Sequence, residues 1–279
     1  MKILIGGGTG FVGGALTRLL RSKGHVVEHI SRRPGAGISW VSDGGGGEEL
    51  GGWNRQFQEE VVSSRVHTTQ TLATAITEAK KPPRIWVLLT GVGYYRPSLT
   101  TEYDENSAGG DFDFMSRLVR DWESAAQLAE DKAQVVRHVI VRSGVVLGKD
   151  GGAIKQMIWP FWLGVGGSIG SGRQYFPWIH VDDLGGILAH ALENDSVSGI
   201  LNGVAPAQNT NREFAVTLAA SLGRPAVLPL PEFAVRAVLG AERGVMLLEG
   251  QRVMPVRTLQ SGYKYRYPEL RAALENIVT

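Results

Sequence analysis

The sequence MKILIGGGTGFVG at residues 1–13 combines a short apolar run with a glycine loop of GxxGxxG spacing. A loop that binds a dinucleotide needs one glycine for the tight turn out of a strand, one for close approach of the backbone to a pyrophosphate, and one for packing of the next helix. The N-terminus of that helix presents free N–H groups and its positive dipole end to the phosphates. We therefore expect a nucleotide to contact Gly7, Thr9, Gly10, Phe11, Val12 and Gly13.

The residues after the loop complete a strand, turn and helix. Apolar residues recur at positions 11, 15, 16, 19 and 20 with helical spacing, and the run ends at Gly24, a residue type common just after a helix. A glycine-rich turn that only connects a strand to a helix is the alternative interpretation. The full context favours the first unit of a dinucleotide-binding fold.

A second strand is predicted at residues 25–31 (HVVEHIS), and the residues at its end indicate which dinucleotide binds. In a Rossmann unit the carboxyl end of this strand meets the adenosine ribose, where an acidic side chain would bind a free 2′-hydroxyl. This chain instead has Ser31, Arg32 and Arg33, and guanidinium groups pair with a 2′-phosphate. We therefore predict NADP as the cofactor, with two solvated surface arginines as the alternative.

Composition limits the classes of function. The formal net charge is +2 and no more than two Lys or Arg residues are adjacent, so nucleic-acid or membrane-surface binding is not expected. The chain has no cysteine, which excludes disulfides, thiol nucleophiles and cysteine metal sites. The six histidines are scattered along the chain, and no metal site is predicted. Because we see no signal segment and no apolar run of about 20 residues, the cytoplasm is the default expectation, and an organelle stays open.

Strands alternate with helices after the second strand. Predicted strands cover residues 85–89 (IWVLL) and 135–141 (VVRHVIV), and predicted helices cover residues 53–79 and 111–130. IWVLL has the unbroken apolar character of a parallel strand that is buried on both faces. The alternation predicts an α/β fold with a Rossmann-like doubly wound parallel sheet.

The sequence becomes rich in glycine and tryptophan after Gly144, and residues 144–184 are predicted to lie on the substrate side rather than in the core. Further helices are expected at residues 182–193, at 211–222 with Asn211 as N-cap, at 232–239 and at 268–277. The predicted organisation is an NADP-binding Rossmann domain at residues 1–150, with its sheet continuing into 176–205. A small C-terminal α+β lobe on the substrate side comprises residues 151–175 and 206–279.

Longer motifs carry a family resemblance that runs over essentially the whole chain. They are GGGTGFVGGAL (6–16), LLTGVGYY (88–95), DWESAA (121–126), VRSGVVLG (141–148), FPWIHVDDL (176–184) and MLLEGQRVMP (246–255). On these motifs the sequence resembles an atypical branch of the extended short-chain dehydrogenase/reductases, called epimerase family proteins. The resemblance implies that Glu60 and Arg65 touch NADP from a helix across the cofactor face, with an ordinary surface pair as the alternative. It also implies that the backbone of Val145 and Val146 meets the nicotinamide.

One departure from the family lies between Trp40 and Trp53. Family members have a strand there that ends in an Asn-Leu-Ala-Gly type motif and lines the cofactor, whereas this chain has only the glycine-rich residues 41–52. Glycines lose backbone entropy in a strand and offer no side chain to pack. We expect no core strand at residues 42–52. The sheet then either has a gap beside the first strand or closes by direct pairing of residues 85–89 with residues 3–5.

A second departure concerns acid–base chemistry. Other short-chain dehydrogenases use a tyrosine acidified by a lysine four residues later, with a serine or threonine that orients the substrate oxygen. Here the tyrosine and lysine positions fall on Met115 and Val119, which cannot exchange protons, while Thr90 fits the serine/threonine position. The predicted catalytic residues are Thr90 and Tyr94. Tyr94 and Tyr95 lie where a substitute acid is needed, and one of the two is expected to pack.

Two further groups of polar residues have a structural interpretation. His180 could titrate near neutrality, but a hydrogen bond that fixes its loop to the next helix is the favoured role. Tyr103, Asp104 and Glu105 are interpreted as a solvated lid.

Three functions stay open on the sequence. The leading one is an NADP(H)-dependent oxidoreductase of a small carbonyl or alcohol, in which Thr90, aided by Tyr94, supplies an electrophilic hydroxyl. A sugar-nucleotide epimerase would need cations for a second diphosphate, for which Arg96 and Arg173 are the candidates. A non-catalytic NADP-binding sensor or scaffold fits the loss of the tyrosine–lysine pair. The small-molecule substrate is unidentified, and a homodimer is one alternative for the oligomeric state.

Overall fold

Parallel strands alternate with helices in the computed structural model, which describes residues 1–30 and 55–279. The strands are Lys2–Gly6 (β1), Val26–Ile30 (β2), Ile85–Gly91 (β3), Glu102–Tyr103 (β4), Arg137–Ser143 (β5), Val145–Gly148 (β6), Trp178–His180 (β7), Gly199–Gly203 (β8) and Arg252–Val253 (β9). The helices are Phe11–Ser22 (α1), Arg55–Val62 (α2), Thr68–Glu78 (α3), Phe114–Ala125 (α4), Glu130–Ala133 (α5), Gly152–Trp162 (α6), Val181–Glu193 (α7), Asn211–Ser221 (α8), Glu232–Leu248 (α9), Val256–Gln260 (α10) and Leu270–Val278 (α11). Within these ranges, no helix is long and apolar enough to cross a membrane.

The strands pair in parallel, as predicted. β1 pairs with β2, and the order of the larger sheet is β3-β5-β8. In the register of β3 and β5, Thr90 lies opposite Arg142, so two polar residues stand side by side where two buried strands end. The shorter pairs β6-β7 and β4-β9 are also parallel. The prediction of a Rossmann-like α/β fold is confirmed.

One hydrophobic core joins the strands to α7. Ile3 of β1 and Val141 of β5 belong to the same buried cluster as Leu184 of α7. α7 also packs on α1, and a Cβ built on Gly185 would lie 3.8 Å from the Cα of Leu16, an ordinary van der Waals contact. The helix layer thus covers β1 and the larger sheet together.

The region beside β1 tests the two alternatives for closing the sheet. In the described ranges β1 pairs with β2 alone and β3 pairs with β5, so the alternative in which β3 pairs directly with β1 is wrong. The physical reason is that α7 contacts α1, β3 and β5, so helix packing rather than a ladder relates β1 to β3. Residues 42–52 lie outside the described residues, and the absence of a core strand there stays a prediction.

Several predicted helices have different bounds in the structure. The predicted helix at residues 53–79 is present from residue 55 as α2 and α3, joined by a π-helical segment, Ser63–His67. The predicted helix at 111–130 begins later, because Asp113 accepts a hydrogen bond from the Ser116 N–H and caps α4. The helix predicted at 232–239 continues to residue 248, with a break at Gly240, whose φ is +78°.

The N-cap of α8 differs from the prediction. Thr210, not Asn211, occupies the position before the helix, since its side chain accepts from the Glu213 N–H and the Glu213 carboxylate accepts from the Thr210 N–H. This capping box satisfies two backbone donors that a single Asn cap would not. The Asn211 side chain instead accepts a hydrogen bond from the Ile169 N–H.

Residues 144–184 were expected outside the core, and this expectation is wrong for β6 and β7. Trp178 is fully buried, and its cluster includes Leu147 of β6, Phe214 of α8 and Leu274 of α11. The indole N–H of Trp178 donates to Asn209 Oδ1 at 2.9 Å, so this large side chain satisfies its polar atom inside the protein. A second core therefore joins the β6-β7 pair to the C-terminal helices, and the division into two domains at residue 150 stays a proposal.

Candidate cofactor site and polar cluster

The glycine loop after β1 has a geometry that only glycines allow. Gly7 has a φ of +72°, in the left-handed region. A Cβ on Gly13 would overlap the carbonyl oxygen of Gly7, so the first turn of α1 sits directly on the loop. Gly10 is the N-cap and no side chain caps α1. Free N–H groups at the first turn of a helix are the donors that bind phosphate, so the loop fits a dinucleotide pyrophosphate.

Phe11 connects the glycine loop to the turn after β6. A Cβ on Gly148 would lie 2.7 Å from the Phe11 ring, and glycines 151 and 152 are packed on the same ring. Val145 and Val146 belong to β6, opposite Trp178 and Ile179 of β7. The structure thus brings the loop and the strand that carries Val145 and Val146 to one place, as the prediction of a shared cofactor site requires.

A histidine at the end of β2 supports the loop from the side. His29 Nε2 and Thr17 Oγ1 of α1 are 2.9 Å apart, and a Cβ on Gly8 would overlap the His29 ring. This contact fixes the end of β2 against the loop, and sequence reasoning missed it. Ser31, Arg32 and Arg33 follow directly and lie outside the described residues.

Glu60 and Arg65 lie on successive helical segments. Glu60 is exposed on α2 and accepts from Gln56 at 3.4 Å. Arg65 is half-buried, burial lowers its pKa, and its guanidinium lies 5.7 Å from the centre of the Trp122 ring. In the described part of the chain we find no contact that joins Glu60 to Arg65, so their roles toward NADP stay predictions.

A buried polar cluster lies at the carboxyl ends of β3 and β5. Arg142 is 1% exposed and forms two hydrogen bonds to the Glu123 carboxylate, from Nε at 2.8 Å and from a terminal nitrogen at 2.7 Å. The Thr90 hydroxyl donates to Oε1 of the same carboxylate at 3.0 Å. Burial by itself would lower the pKa of Arg142, but the hydrogen bonds and charge of Glu123, together with Tyr95, outweigh burial and raise that pKa. Arg142 is therefore a permanent cation held in a bidentate pair.

The two neighbouring tyrosines have different environments. Tyr95 is fully buried, donates its hydroxyl to Asn202 at 2.9 Å and accepts from Arg142 at 3.0 Å, and its pKa is raised by burial. Tyr94 is half-buried, with its ring centre 3.3 Å from the Arg142 guanidinium. Its hydroxyl makes no hydrogen bond within the described residues. Tyr95 is thus the tyrosine that packs, with its hydroxyl bonded inside the protein. The Tyr94 hydroxyl has no partner among the described residues and can donate a hydrogen bond to a ligand.

The sequence prediction of a solvated lid is wrong for Glu105. This carboxylate is 3% exposed and accepts from the backbone N–H groups of Asn202 and Arg257, both at 3.0 Å. Glu105 thus anchors the end of β8 to α10. A buried anion needs such donors, and the residues that supply them lie 97 and 152 positions further along the chain, where no local sequence signal reveals them.

Other candidate residues have structural roles. His180 is the N-cap of α7 and accepts at Nδ1 from the Asp182 N–H at 3.1 Å, as the favoured interpretation predicted. Val119 is buried, and Met115 packs beside Gly93. The guanidinium of Arg96 lies 5.1 Å from the centre of the Phe112 ring.

A groove of about 570 Å³ between α1 and α7 contains none of the predicted site residues. Its carboxylates already have partners in the protein. Asp183 accepts from Tyr263 and from two backbone N–H groups, and Glu193 accepts from Lys23 and His25. These contacts tie α7 to the residues that follow α1 and to the segment between α10 and α11, so these carboxylates have structural roles.

Comparison with known proteins places the chain in a family. The human epimerase family protein SDR39U1 is 56% identical over 295 aligned residues, which include all of both chains. A chloroplastic homologue from Arabidopsis thaliana is 36% identical, over all of this chain and 87% of the homologue. This chain belongs to the epimerase protein family. Residues 230–277 also match a family model described as a domain of unknown function, DUF1731.

The structures of family members agree with this fold. The crystal structure of human epimerase family protein SDR39U1 (isoform2) with NADPH superposes with a TM-score of 0.92 over 99% of each chain. The resemblance to atypical extended short-chain dehydrogenase/reductases is thereby confirmed. The alignment with the human family member spans 295 residues, whereas this chain has 279, so the human protein has positions without a counterpart here. The extra positions are in the human protein, as expected if this chain lacks the strand.

Proposed function

We propose that this epimerase family protein binds NADP(H) and interconverts a small carbonyl and the corresponding alcohol. The observation that carries the proposal is the contact between Gly13 and Gly7, which leaves the N-terminus of α1 open to a pyrophosphate. The NADPH in the human relative supports the same cofactor, and so do Arg32 and Arg33 at the ribose position. The cofactor supplies the hydride when it is bound.

Tyr94 is the proposed proton donor for carbonyl reduction. A hydroxyl has a single proton, and Thr90 donates its proton to Glu123. Thr90 can therefore only accept a hydrogen bond from a substrate. In this proposal Tyr94 gives its proton to the carbonyl oxygen as hydride arrives at the carbon, and the hydroxyl formed in this way then donates a hydrogen bond to Thr90. The electrophilic role that the sequence suggested for Thr90 therefore passes to Tyr94.

Glu123 and Arg142 are proposed as positioning residues. The bidentate pair holds the Thr90 hydroxyl in one orientation and places the guanidinium over the Tyr94 ring. Both carboxylate oxygens of Glu123 already accept hydrogen bonds within the cluster, so we give Glu123 no proton-transfer step. The pair thus sets the geometry of the two hydroxyls without exchanging protons.

The test is NADPH binding by calorimetry, followed by single-turnover hydride transfer to a panel of small aldehydes and ketones. Tyr94→Phe should slow transfer by about a hundredfold or more, while NADPH affinity stays within about twofold. Thr90→Val should lower the rate as well, because the hydroxyl that forms on the substrate loses its acceptor. Tyr103→Phe is the matched control and should react like the parent. Parent-like rates for both Tyr94→Phe and Thr90→Val would refute the assignment.

A non-catalytic NADP-binding protein is the second candidate. Met115 and Val119 favour it, because neither residue can replace the tyrosine–lysine pair of related enzymes. Tight NADPH binding with no hydride transfer to any member of the panel would support this candidate over the oxidoreductase.

A further inference from the structure

The outward face of α6 is apolar. Ile154 and Phe161 are buried on its inner side, whereas Trp159 is 68% exposed and Leu163, just after the helix, is 76% exposed. Trp162 is also exposed. Spacings of three and four residues place Trp159, Trp162 and Leu163 on one side of the helix. This is the reverse of an ordinary surface helix, whose outward face is polar.

A second exposed apolar segment lies against the first. The Leu228 N–H donates to Gly166, the Leu230 N–H donates to Ser168, and the Gly170 N–H donates back to Leu230. Phe233, at the start of α9, is 76% exposed. We call the combined surface the tryptophan patch; its members are Trp159, Trp162, Leu163, Val165, Val227, Leu228, Leu230 and Phe233.

The indole groups of the patch differ from those of the core. Trp86, Trp122 and Trp178 each donate their indole N–H to a protein acceptor. In the described residues, Trp159 and Trp162 donate to none. Their indole N–H groups can therefore donate hydrogen bonds to a binding partner while their rings are buried in an apolar environment.

The charges in the chain segments that form the patch are positive, apart from the paired Glu232. Residues 151–181 and 214–231, which contain nearly all of it, include no Asp or Glu, while Lys155, Arg173 and Arg224 in these stretches are exposed. Lys155 lies one helical turn before Trp159, on the same side. Glu232, beside Phe233, is paired with Arg236 at 2.8 Å. A second copy of this surface would bring cations toward cations, whereas an anionic surface complements them.

We propose that the tryptophan patch docks on an anionic lipid bilayer. Trp, Leu and Phe enter the boundary between headgroups and acyl chains, indole N–H groups bond headgroup oxygens, and the lysine and arginine side chains meet lipid phosphates. The net charge of the whole chain gave no sign of this, because carboxylates elsewhere balance the local cations.

The test is co-sedimentation of the full chain with vesicles of phosphatidylcholine alone or mixed in equal parts with phosphatidylglycerol. We expect binding to the mixed vesicles with a blue shift of tryptophan emission. The Trp159→Ser, Trp162→Ser double variant should bind at least about tenfold more weakly. Lys155→Ala should lose about fivefold on the mixed vesicles. Leu99→Ser, which removes an exposed leucine outside the patch, is the matched control and should bind like the parent.

The same variants separate the alternatives. Circular dichroism and melting should be unchanged, because the substituted side chains are exposed. Absence of parent binding, equal binding to both vesicle types, or unchanged binding by the double variant would each overturn the proposal. It would also be overturned if sedimentation velocity showed a dimer that the double variant abolishes, since the patch would then serve a second copy of the chain.

Discussion

The glycine loop and the polar cluster both lie at carboxyl ends of parallel strands, yet opposite means build them. The loop exists because side chains are missing, so that Gly13 can sit on the backbone of Gly7. The cluster exists because charged side chains fill a buried space, where Arg142 reaches Glu123 and Thr90 at once. The first arrangement leaves backbone donors for a ligand. The second satisfies its own polar groups and fixes their orientation.

The difference shows in how each region responds to a single substitution. An added methyl group in the loop overlaps backbone atoms, so the loop or the first turn of α1 must shift. A removed partner in the cluster leaves a full charge without compensation in the protein interior, which costs more. The cluster should therefore govern stability, and the loop should govern cofactor binding.

Glu123→Ala gives the largest expected effect. It leaves the Arg142 guanidinium buried without its carboxylate, so the free energy of unfolding should fall by about 3–5 kcal/mol. Urea denaturation at neutral pH measures it. The comparison variant is Glu59→Ala, which breaks the exposed pair with Arg55 and should cost below about 0.5 kcal/mol. If the two variants lose similar amounts of unfolding free energy, the buried pair contributes no more to stability than an exposed pair.

Gly13→Ala should come next. Its methyl group overlaps the Gly7 carbonyl, so the loop or α1 must shift at a cost of about 1–3 kcal/mol. NADPH affinity should fall strongly, because the first turn of α1 moves away from the pyrophosphate. Gly14→Ala is the matched control: the nearest atom to its Cβ is a flexible Arg18 nitrogen at 3.7 Å, and alanine in a helix gains up to about 1 kcal/mol over glycine. Unchanged NADPH binding by Gly13→Ala would contradict the role of the loop.

The loop could be predicted from sequence, whereas Thr90 was predicted without its partners Glu123 and Arg142, for a physical reason. The constraints on the loop act between residues a few positions apart, so spacing alone reveals them. The cluster joins Thr90, Glu123 and Arg142 across 52 positions, and only the β3-β5 register brings the ends together. A charged residue that ends the apolar run VVRHVIVR was the available signal. It would have pointed to Arg142 if the two strand ends had been aligned.

Cofactor preference is a smaller effect that tests the sequence prediction at the end of β2. Each charge-assisted contact to a 2′-phosphate should contribute about 1.5–3 kcal/mol, so NADP should bind more than about tenfold more tightly than NAD. Arg32→Ala should weaken NADP binding far more than NAD binding in a calorimetric titration. Arg18→Ala, an exposed arginine on α1, serves as the control and should keep the preference. Equal affinities of the parent for the two cofactors would sink this prediction.

The smallest expected effect lies on β5, four positions before Arg142. Burial lowers the pKa of His138 below its ordinary value of 6.5, although Glu123 acts in the opposite direction, and its buried Nε2 has no hydrogen-bond partner among the residues that the structure describes. As the pH falls below 6.5, the unfolded chain binds a proton at this histidine while the folded chain does not. The free energy of unfolding therefore falls as the pH drops from 6.5 toward the lowered pKa of the folded chain.

Between about pH 8 and pH 5, urea denaturation should show a smaller loss of stability for His138→Leu than for the parent. His180, whose pKa burial also lowers, is present in both proteins and cancels from the difference. Identical pH dependence of parent and variant would show that His138 keeps its proton equilibrium on folding, and with it that the strand below the cluster is open to water.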